Sequence, residues 1–177
     1  MANQSDATVK VELPSIDQLI AAIGTEKLKI IMSGAATVVA GEVRKRWAKG
    51  IGASGQNMEA EQPISKVWKE QKALGGRQPK INYAYHGDFA QSFRPREIRD
   101  NGRTVVITFD GNSKGIKYIR KDGKDSKAKP PTGPSNLEKA RGLAYWRPHS
   151  FKPDDSLELI GAKAFDKSLR AIVKFTK

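Results

Sequence analysis

The sequence of 177 residues contains no cysteine and only two histidines, His86 and His149. Without cysteine, disulfide bonds and thiolate metal sites are excluded, which fits a protein made and assembled in a reducing cytoplasm. The two histidines lie far apart and lack the spacing of metal ligands, such as two histidines one helical turn apart. We therefore expect no metal site.

A long hydrophobic run is missing as well. The most apolar stretch, residues 28–43, contains lysine, serine, threonine, glutamate and glycine, so it is too polar and too short to span a bilayer. The N-terminus has no basic segment followed by an apolar core, which gives no sign of a secretory signal. These features predict a cytoplasmic product without a membrane destination.

Patterns typical of catalysis or cofactor binding are not found either. The GNSKG segment at residues 111–115 lacks the spacing of a phosphate loop, and the glycines of residues 50–55 follow a helix, whereas a dinucleotide fingerprint precedes one. Ser54 lacks the glycine-flanked elbow of nucleophilic hydrolases. Asp154 and Asp155 suit a helix N-terminus better than a cation site. The sequence therefore predicts no catalytic residues, no cofactor and no enzymatic activity.

Basic residues are abundant, and the formal net charge is +13. Such a charge favours association with polyanions, including nucleic acid, acidic proteins and acidic lipid. The lysines and arginines are, however, spread along most of the chain instead of forming one cluster. This spread is more typical of a solvated surface, which also suits an acidic protein neighbour, than of a surface that recognises nucleic acid directly.

The length fits one domain, which we place at residues 15–177, after an arm at residues 1–14. Within the arm, Val9, Val11 and Leu13 alternate with polar residues, a pattern typical of a strand. Such an arm either pairs with the sheet edge of a neighbouring subunit or is a disordered terminus, and the sequence leaves both alternatives open.

Helical periodicity is strongest in the first third of the domain. After a short helix over residues 15–24, Thr25 caps a long helix that ends near residues 50–52. Gly34 and Gly41 on this helix either permit close packing or weaken it. The apolar residues that recur at helical spacing are Leu28, Ile31, Met32, Ala35, Val39, Val43 and Trp47.

Three further helical segments are expected. A short basic helix covers residues 66–74, with Val67, Trp68 and Leu74 as its apolar contacts, and a helical turn or two lies within residues 87–93. The final helix opens at residues 153–155 with aspartates at its positive end, and its apolar face comprises Leu157, Ile160, Ala164, Ala171 and Phe175.

A hairpin gives the clearest strand pattern. Residues 94–99 and 103–109 flank Asp-Asn-Gly at 100–102, where asparagine and glycine tolerate the positive φ of a tight turn. A third strand is expected at residues 116–119. The fold class predicted is α+β, with an antiparallel β-meander packed against the long N-terminal helix and the C-terminal helix.

Two segments are expected to be loops, a short one at residues 51–62 and a long basic one at residues 120–142. The long loop is lysine-rich around a proline cluster and cannot bury a core, and order resumes at Leu143. It is either a tolerated insertion or a loop ordered against a partner, and we favour the second. Deleting Lys121–Lys139 should therefore weaken assembly with little change in the melting temperature.

The tryptophans favour binding or assembly. We assign Trp47 and Trp68 to the core of amphipathic helices, whereas Trp146 lies between the basic loop and Pro148 and suits contact with a neighbour. The residues expected at an interface are Val9, Val11, Leu13, Lys121, Lys124, Lys127, Lys129, Trp146 and Arg147.

Several short motifs occur in a fixed order over residues 26–175. They comprise Arg44-Lys-Arg-Trp47, Pro63-Ile-Ser-Lys-Val-Trp68, Gly87-Asp-Phe-Ala-Gln-Ser-Phe93, and Arg147-Pro148 with Phe151. This order resembles the virion-morphogenesis, or tail-completion and neck-protein, family of long-tailed bacteriophages. The chain departs from the family pattern at His86, where threonine is usual, and at His149 and Ser150, which separate Pro148 from Phe151.

The resemblance implies an α+β subunit of the phage head–tail junction that forms a ring of six or twelve copies. Its partners would be other neck, connector and tail proteins, with non-specific contact to DNA in the channel as a further role. A tail terminator or head-closure protein of the same junction, or a basic nucleic-acid-binding protein, are the alternatives. Residues carried over as structural are Trp47, Gly87, Asp88, Ser92, Pro148 and Phe151.

Overall fold

The computed structural model describes residues 23–61, 63–74, 88–112 and 135–174, together with positions 18, 21, 76 and 83. These parts of the chain form six helices and one two-stranded antiparallel sheet. The helices are α1 (Thr25–Ala48), α2 (Met58–Glu61), α3 (Lys66–Leu74), α4 (Asp88–Gln91), α5 (Asn136–Trp146) and α6 (Asp155–Lys174), and the strands are β1 (Phe93–Arg99) and β2 (Thr104–Phe109). The predicted α+β class is confirmed.

The structure divides into two compact units. Unit 1 comprises Met1–Val43, Phe93–Thr108 and Pro153–Lys177, and unit 2 comprises Arg44–Ser92 and Phe109–Lys152. Unit 1 has a mainly aliphatic core, whereas the core of unit 2 is mainly aromatic.

Helix α1 has the buried face that its periodicity predicts. Its seven periodic apolar residues are all at most 6% exposed: Leu28, Ile31, Met32, Ala35, Val39, Val43 and Trp47. Thr25 is the first residue of the helix instead of the residue before it, and Glu26 lies in the first turn. Burial of these side chains stabilises the helix more than its intrinsic propensity does.

The hairpin forms where it is predicted, between β1 and β2. Asp100, Asn101 and Gly102 form the turn with φ values of 53°, 55° and 95°. Asn101 and Gly102 are the residues expected to tolerate positive φ, and Asp100 adds a third. A Cβ atom at Gly102 would lie 3.2 Å from Lys29 Cγ, so the turn packs closely against the start of α1.

The final helix begins at the predicted aspartates. Asp154 caps α6, because its Oδ1 accepts a hydrogen bond from the Leu157 amide at 3.1 Å. Leu157 is fully buried, as predicted, but Ala171 is exposed, so the apolar face ends earlier than its periodicity suggests. Phe175 lies outside the described residues.

The core of unit 1 contains a small cavity of about 20 Å³. Its lining is almost entirely apolar and gives a water molecule few hydrogen-bond partners. The lining residues come from α1, β2 and α6: Met32, Ala35, Ala36, Val39, Val105, Ile107, Gly161 and Phe165.

Two expectations about the middle of the chain are wrong in part. Helix α3 has the predicted bounds, but Val67 and Leu74 are 59% and 41% exposed, and Lys72 is buried. Trp68, expected in the core, is only half-buried. Contacts with neighbouring elements decide which side of this nine-residue helix is buried. The local pattern of apolar residues does not specify that side. Residues 51–62 are more than a loop, since Ile51 pairs with Asn57 and α2 follows.

The long basic loop also ends earlier than predicted. Residues 136–142 belong to α5, and Asn136 and Ala140 are buried within unit 2. A capping box at the helix start, described below, explains why the chain becomes helical here. The predicted third strand at 116–119, most of the loop at 120–142 and the arm at 1–14 lie outside the described residues.

Candidate interaction surface

Unit 2 is built around a cluster of five aromatic rings, Trp47, Tyr83, Phe89, Phe109 and Phe151. The Trp47 ring stacks on Phe109 at 5.9 Å and meets Phe151 edge-on at 5.5 Å, measured between ring centroids. Phe89 stacks on Phe109 at 4.8 Å. Aromatic pairs at these separations add stability beyond the area they bury. Two of the residues assigned from the family motifs, Trp47 and Phe151, therefore meet in one core.

Trp47 is also held by a hydrogen bond. Its indole Nε1 donates to the carbonyl of Ser150 at 2.8 Å, and the Ala53 amide donates to the same carbonyl at 3.1 Å. The Ser54 amide donates to the carbonyl of His149 at 3.2 Å. His149 and Ser150, which separate Pro148 from Phe151, thus supply the carbonyl oxygens that accept hydrogen bonds from the loop after α1.

Gly52 allows this loop to approach the turn at residues 148–150. A Cβ atom at Gly52 would lie 2.6 Å from the carbonyl oxygen of His149 and 3.0 Å from Ser150 Cα. Backbone atoms cannot move aside as a flexible side chain does, so a side chain at this position would separate the loop from the turn.

Ser92 directly follows α4 and connects it to the core. Its hydroxyl donates to the carbonyl of Phe89 at 2.7 Å, and its own carbonyl accepts from the Asp110 amide at 3.1 Å. The motif serine therefore has a structural role beside the aromatic cluster. Asp88 starts α4, and the side chain of Asp88 and the whole of Gly87 lie outside the described parts.

Helix α5 starts with a reciprocal capping box. Ser135 Oγ accepts from the Glu138 amide at 3.2 Å, while Glu138 Oε2 accepts from the Ser135 amide at 2.9 Å. Hydrogen bonds from Ser135 lower the pKa of the Glu138 carboxyl. The Ser-Asn-Leu-Glu sequence at 135–138 carries this pattern, so the start of α5 was visible in the sequence inside the basic segment.

Inside α5, Asn136 and Lys139 tie the helix to the rest of unit 2. Asn136 Nδ2 donates to the carbonyl of Asp110 at 2.7 Å. Lys139 Nζ lies 5.2 Å from the centre of the Phe89 ring, and burial lowers the pKa of this lysine. A lysine assigned to an exposed loop is therefore a packed residue with a cation–π contact.

The far end of α5 presents two large aromatic side chains to solvent. Tyr145 is 75% exposed and Trp146 is 59% exposed, and their rings meet edge-on at 5.0 Å. The prediction that Trp146 is available to a neighbour is consistent with this exposure. Tyr145 was missed, although the aromatic pair in the sequence points to it. Exposed adjacent aromatics of this size are typical of interface hot spots.

The remaining interface residues fall into two groups. Arg147 is half-buried and directly follows α5 as its C-cap, and its amide donates to the carbonyl of Leu143 at 2.8 Å. Pro148, which the resemblance gives as a structural residue and not as an interface residue, is exposed at the start of the following 3₁₀ turn. The other predicted residues lie outside the described parts of the chain: Val9, Val11, Leu13, Lys121, Lys124, Lys127 and Lys129.

The described residues offer few groups for metal chemistry. They contain no cluster of three or more histidine, cysteine, aspartate or glutamate side chains that could hold a metal ion. His149 is half-buried, and its carbonyl takes part in the loop contact given above. None of the described helices combines the length and apolar character needed to cross a bilayer.

Comparisons with known protein families, with curated proteins and with solved structures find no match to this chain. Any proposal about its function must therefore rest on its own residues, and the Tyr145–Trp146 pair is a prominent exposed feature of the described part of the chain.

Proposed function

We propose that this protein is a structural subunit of the head–tail junction of a long-tailed bacteriophage, in the neck or upper tail of the virion. In this proposal it is not an enzyme, and it assembles into a ring of six or twelve copies that connects or completes the tail. A tail terminator or a head-closure protein of the same junction is the alternative.

The convergence of three motif residues, Trp47, Ser92 and Phe151, supports the proposal most. Trp47 and Phe151 come from opposite ends of the motif series, and they pack against each other while Trp47 bonds Ser150. Ser92, from the central motif, bonds the carbonyl of Phe89 in the same cluster. Residues separated by about a hundred positions thus act together in one core, as motif residues of a family should.

The exposed aromatic pair supports assembly. A tryptophan and a tyrosine at the end of a helix give a rigid apolar surface of the kind that carries binding energy at protein interfaces. When such a surface contacts a different surface on the next copy, the contact is heterologous and repeats until it closes into a ring. We assign the Tyr145–Trp146 pair to this contact between subunits.

The positive charge of the chain indicates which partners the proposed subunit would contact. The net charge of +13 suits docking on acidic connector or tube proteins, with non-specific contact to DNA in the channel. The proposed subunit also has a β-arm at residues 1–14, a third strand that completes the meander, and a basic loop that contacts a partner.

Assembly of the purified protein tests the proposal. We expect native mass spectrometry and negative-stain electron microscopy to show rings of six or twelve subunits, alone or with purified connector proteins. Trp146→Ala should abolish the rings without unfolding the chain. Leu159→Ala is the matched control, because Leu159 is similarly exposed at 54% but lies on α6. If the rings still form in Trp146→Ala, the Tyr145–Trp146 pair is not the contact between subunits.

Two measurements separate the proposal from its rivals. Mass spectrometry of purified virions should detect the protein, and its absence from virions and assembly intermediates would refute a structural role. A free nucleic-acid-binding protein should bind DNA with micromolar or tighter affinity that falls steeply with salt. We expect little binding of this kind from a ring subunit.

A further inference from the structure

The turn between β1 and β2 contains a chemically reactive pair of residues. Asn101 is followed by Gly102, and no other asparagine of the chain precedes a glycine. In such a pair the backbone nitrogen of glycine attacks the side-chain carbonyl carbon of asparagine most readily, because glycine has no side chain to hinder the approach. Asn101 is exposed, so its side-chain amide is in contact with water. The turn therefore holds the groups needed for loss of the amide.

The conformation of the folded turn keeps these two groups apart. Asn101 has φ of 55° and ψ of 35°, in the left-handed region. At this ψ the nitrogen of Gly102 lies nearly opposite the Cβ atom of Asn101 across the Cα–C bond, so it points away from the side-chain carbonyl. The Cα–C bond has to rotate by more than a quarter-turn before the nitrogen reaches the carbonyl carbon. That rotation is incompatible with the turn.

Packing and hydrogen bonds resist this rotation. Gly102 is buried, and a Cβ atom on it would lie 3.2 Å from Lys29 Cγ, so the turn packs closely against α1. The Arg103 amide donates to the carbonyl of Asp100 at 3.1 Å, and the hydroxyl of Thr104 donates to Asp100 Oδ2 at 2.8 Å. Opening the turn loses these contacts together, so the open state is a minor population of the folded protein.

We propose that Asn101 is a site of spontaneous deamidation whose rate is set by the opening of the β1–β2 turn. In the open turn the Gly102 nitrogen bonds to Cγ of Asn101, and its proton passes through water to the side-chain nitrogen. The bond from Cγ to that nitrogen then breaks, ammonia leaves, and a cyclic succinimide remains. Water opens the ring at one of its two carbonyls and leaves aspartate or isoaspartate at position 101.

Both products change the turn. Each adds a negative charge next to Asp100, and isoaspartate also lengthens the main chain by one carbon before Gly102. The longer chain moves Gly102 away from Lys29, so we expect the isoaspartate form to melt at a lower temperature than the parent protein. The inference concerns the stability of this chain over time. It goes beyond the proposed function and does not depend on it.

Incubation of the full-length protein tests the proposal. Samples are kept at one mildly alkaline pH and one temperature, either native or denatured in guanidinium chloride, and mass spectrometry of the peptides measures the conversion of Asn101. Only the open fraction of the native protein reacts, so we expect the native rate to be at least about tenfold lower than the denatured rate. Absence of conversion in the denatured chain would overturn the assignment of the site, and equal rates would overturn the protection by the turn.

An internal control separates the effect of glycine from that of exposure. Asn57 is also exposed, but Met58 follows it and hinders the attack by its backbone nitrogen. In the denatured chain we expect conversion at Asn101 well before conversion at Asn57. If the two asparagines converted at the same rate, the Asn101–Gly102 pair would have no special reactivity and the proposal would fail.

A matched pair of variants tests the turn itself. Thr104→Val removes the hydroxyl bonded to Asp100, so it should raise the native rate at Asn101 several-fold and leave the denatured rate unchanged. Thr37→Val is the control, because its hydroxyl donates to the carbonyl of Ser33 within α1 at 2.8 Å. Circular dichroism checks that both variants are folded, and hydrogen exchange of the Gly102 amide measures opening in the parent protein. A turn that exchanges slowly in a protein that deamidates quickly would contradict the proposed gate.

Discussion

At the scale of single residues, unit 2 depends on two positions that its hydrophobic pattern does not mark. Gly52 lets the loop after α1 reach the carbonyls of residues 149 and 150, and Trp47 uses its indole nitrogen as well as its ring. A buried Trp47 was predictable from helical spacing, but its hydrogen bond to Ser150 spans 103 positions. A contact over that distance depends on the tertiary fold, so local sequence cannot indicate it.

The effect of glycine at position 52 can be measured. Gly52→Ala should lower the free energy of unfolding by about 1–3 kcal/mol, because its Cβ would collide with the backbone of the 148–150 turn. Gly142→Ala is the matched control, since a Cβ atom at Gly142 in α5 meets nothing within 4 Å. The control should be stabilised by about 0.5–1 kcal/mol through better helix propensity. The free energy of unfolding is measured by urea denaturation. If both variants were less stable than the parent protein, or both more stable, the result would contradict this prediction.

At the scale of elements, the helices and strands with regularly spaced apolar residues could be predicted from the sequence. Helix α1 and the hairpin follow from spacing and turn residues, because one side of each is buried against a single core. Helix α3 exposes Val67 and buries Lys72, since the orientation of a short helix is set by its neighbours. Helix α5 was missed at its start because lysines and prolines before Ser135 dominate the composition.

Deleting Lys121–Lys139 would remove the first turn of α5, including the buried Asn136 and the Lys139 contact with Phe89. Such a deletion is therefore expected to destabilise the chain. It cannot test the role of the basic loop in assembly, because it also removes part of a packed helix.

The capping box of α5 should make the helix sensitive to acid. Hydrogen bonds from Ser135 lower the pKa of Glu138, so the folded state favours the carboxylate. The stabilisation is fully present above the ordinary pKa of glutamate and is lost as the pH falls through the lower, folded value. Carboxyl chemical shifts of Glu138 in an NMR titration should report a pKa below that of a model glutamate. The Ser135 amide should lose protection over the same pH range.

Two variants isolate the capping box. Ser135→Ala should return the Glu138 pKa towards its ordinary value and cost about 1 kcal/mol of stability through the lost cap. Glu138→Gln retains an acceptor but does not titrate, so Ser135 amide protection should no longer change with acid at this site. An unchanged Glu138 pKa in Ser135→Ala would show that the hydrogen bond from the Ser135 hydroxyl to Glu138 Oε2 does not hold it down.

At the scale of the whole molecule, unbalanced charge is the main electrostatic feature. Ion pairs such as Glu26–Lys29, Glu97–Arg99 and Asp166–Arg170 are exposed and contribute little to stability. The excess of thirteen positive charges is therefore not neutralised within the chain. Mutual repulsion of these charges disfavours the compact state and, in the proposed ring, disfavours contact between copies unless acidic partners are present.

Salt should consequently stabilise the isolated protein. At about 0.1 M ionic strength the screening length is roughly 10 Å, so higher salt reduces repulsion between distant lysines and arginines. We expect the melting temperature to rise by a few degrees as sodium chloride increases, in scans followed by circular dichroism. Potassium chloride at equal ionic strength should act alike, because screening depends on ionic strength and not on the cation. A melting temperature that falls with either salt would mean that attractive pairs outweigh the repulsion, and that the excess charge does not limit the stability of the fold.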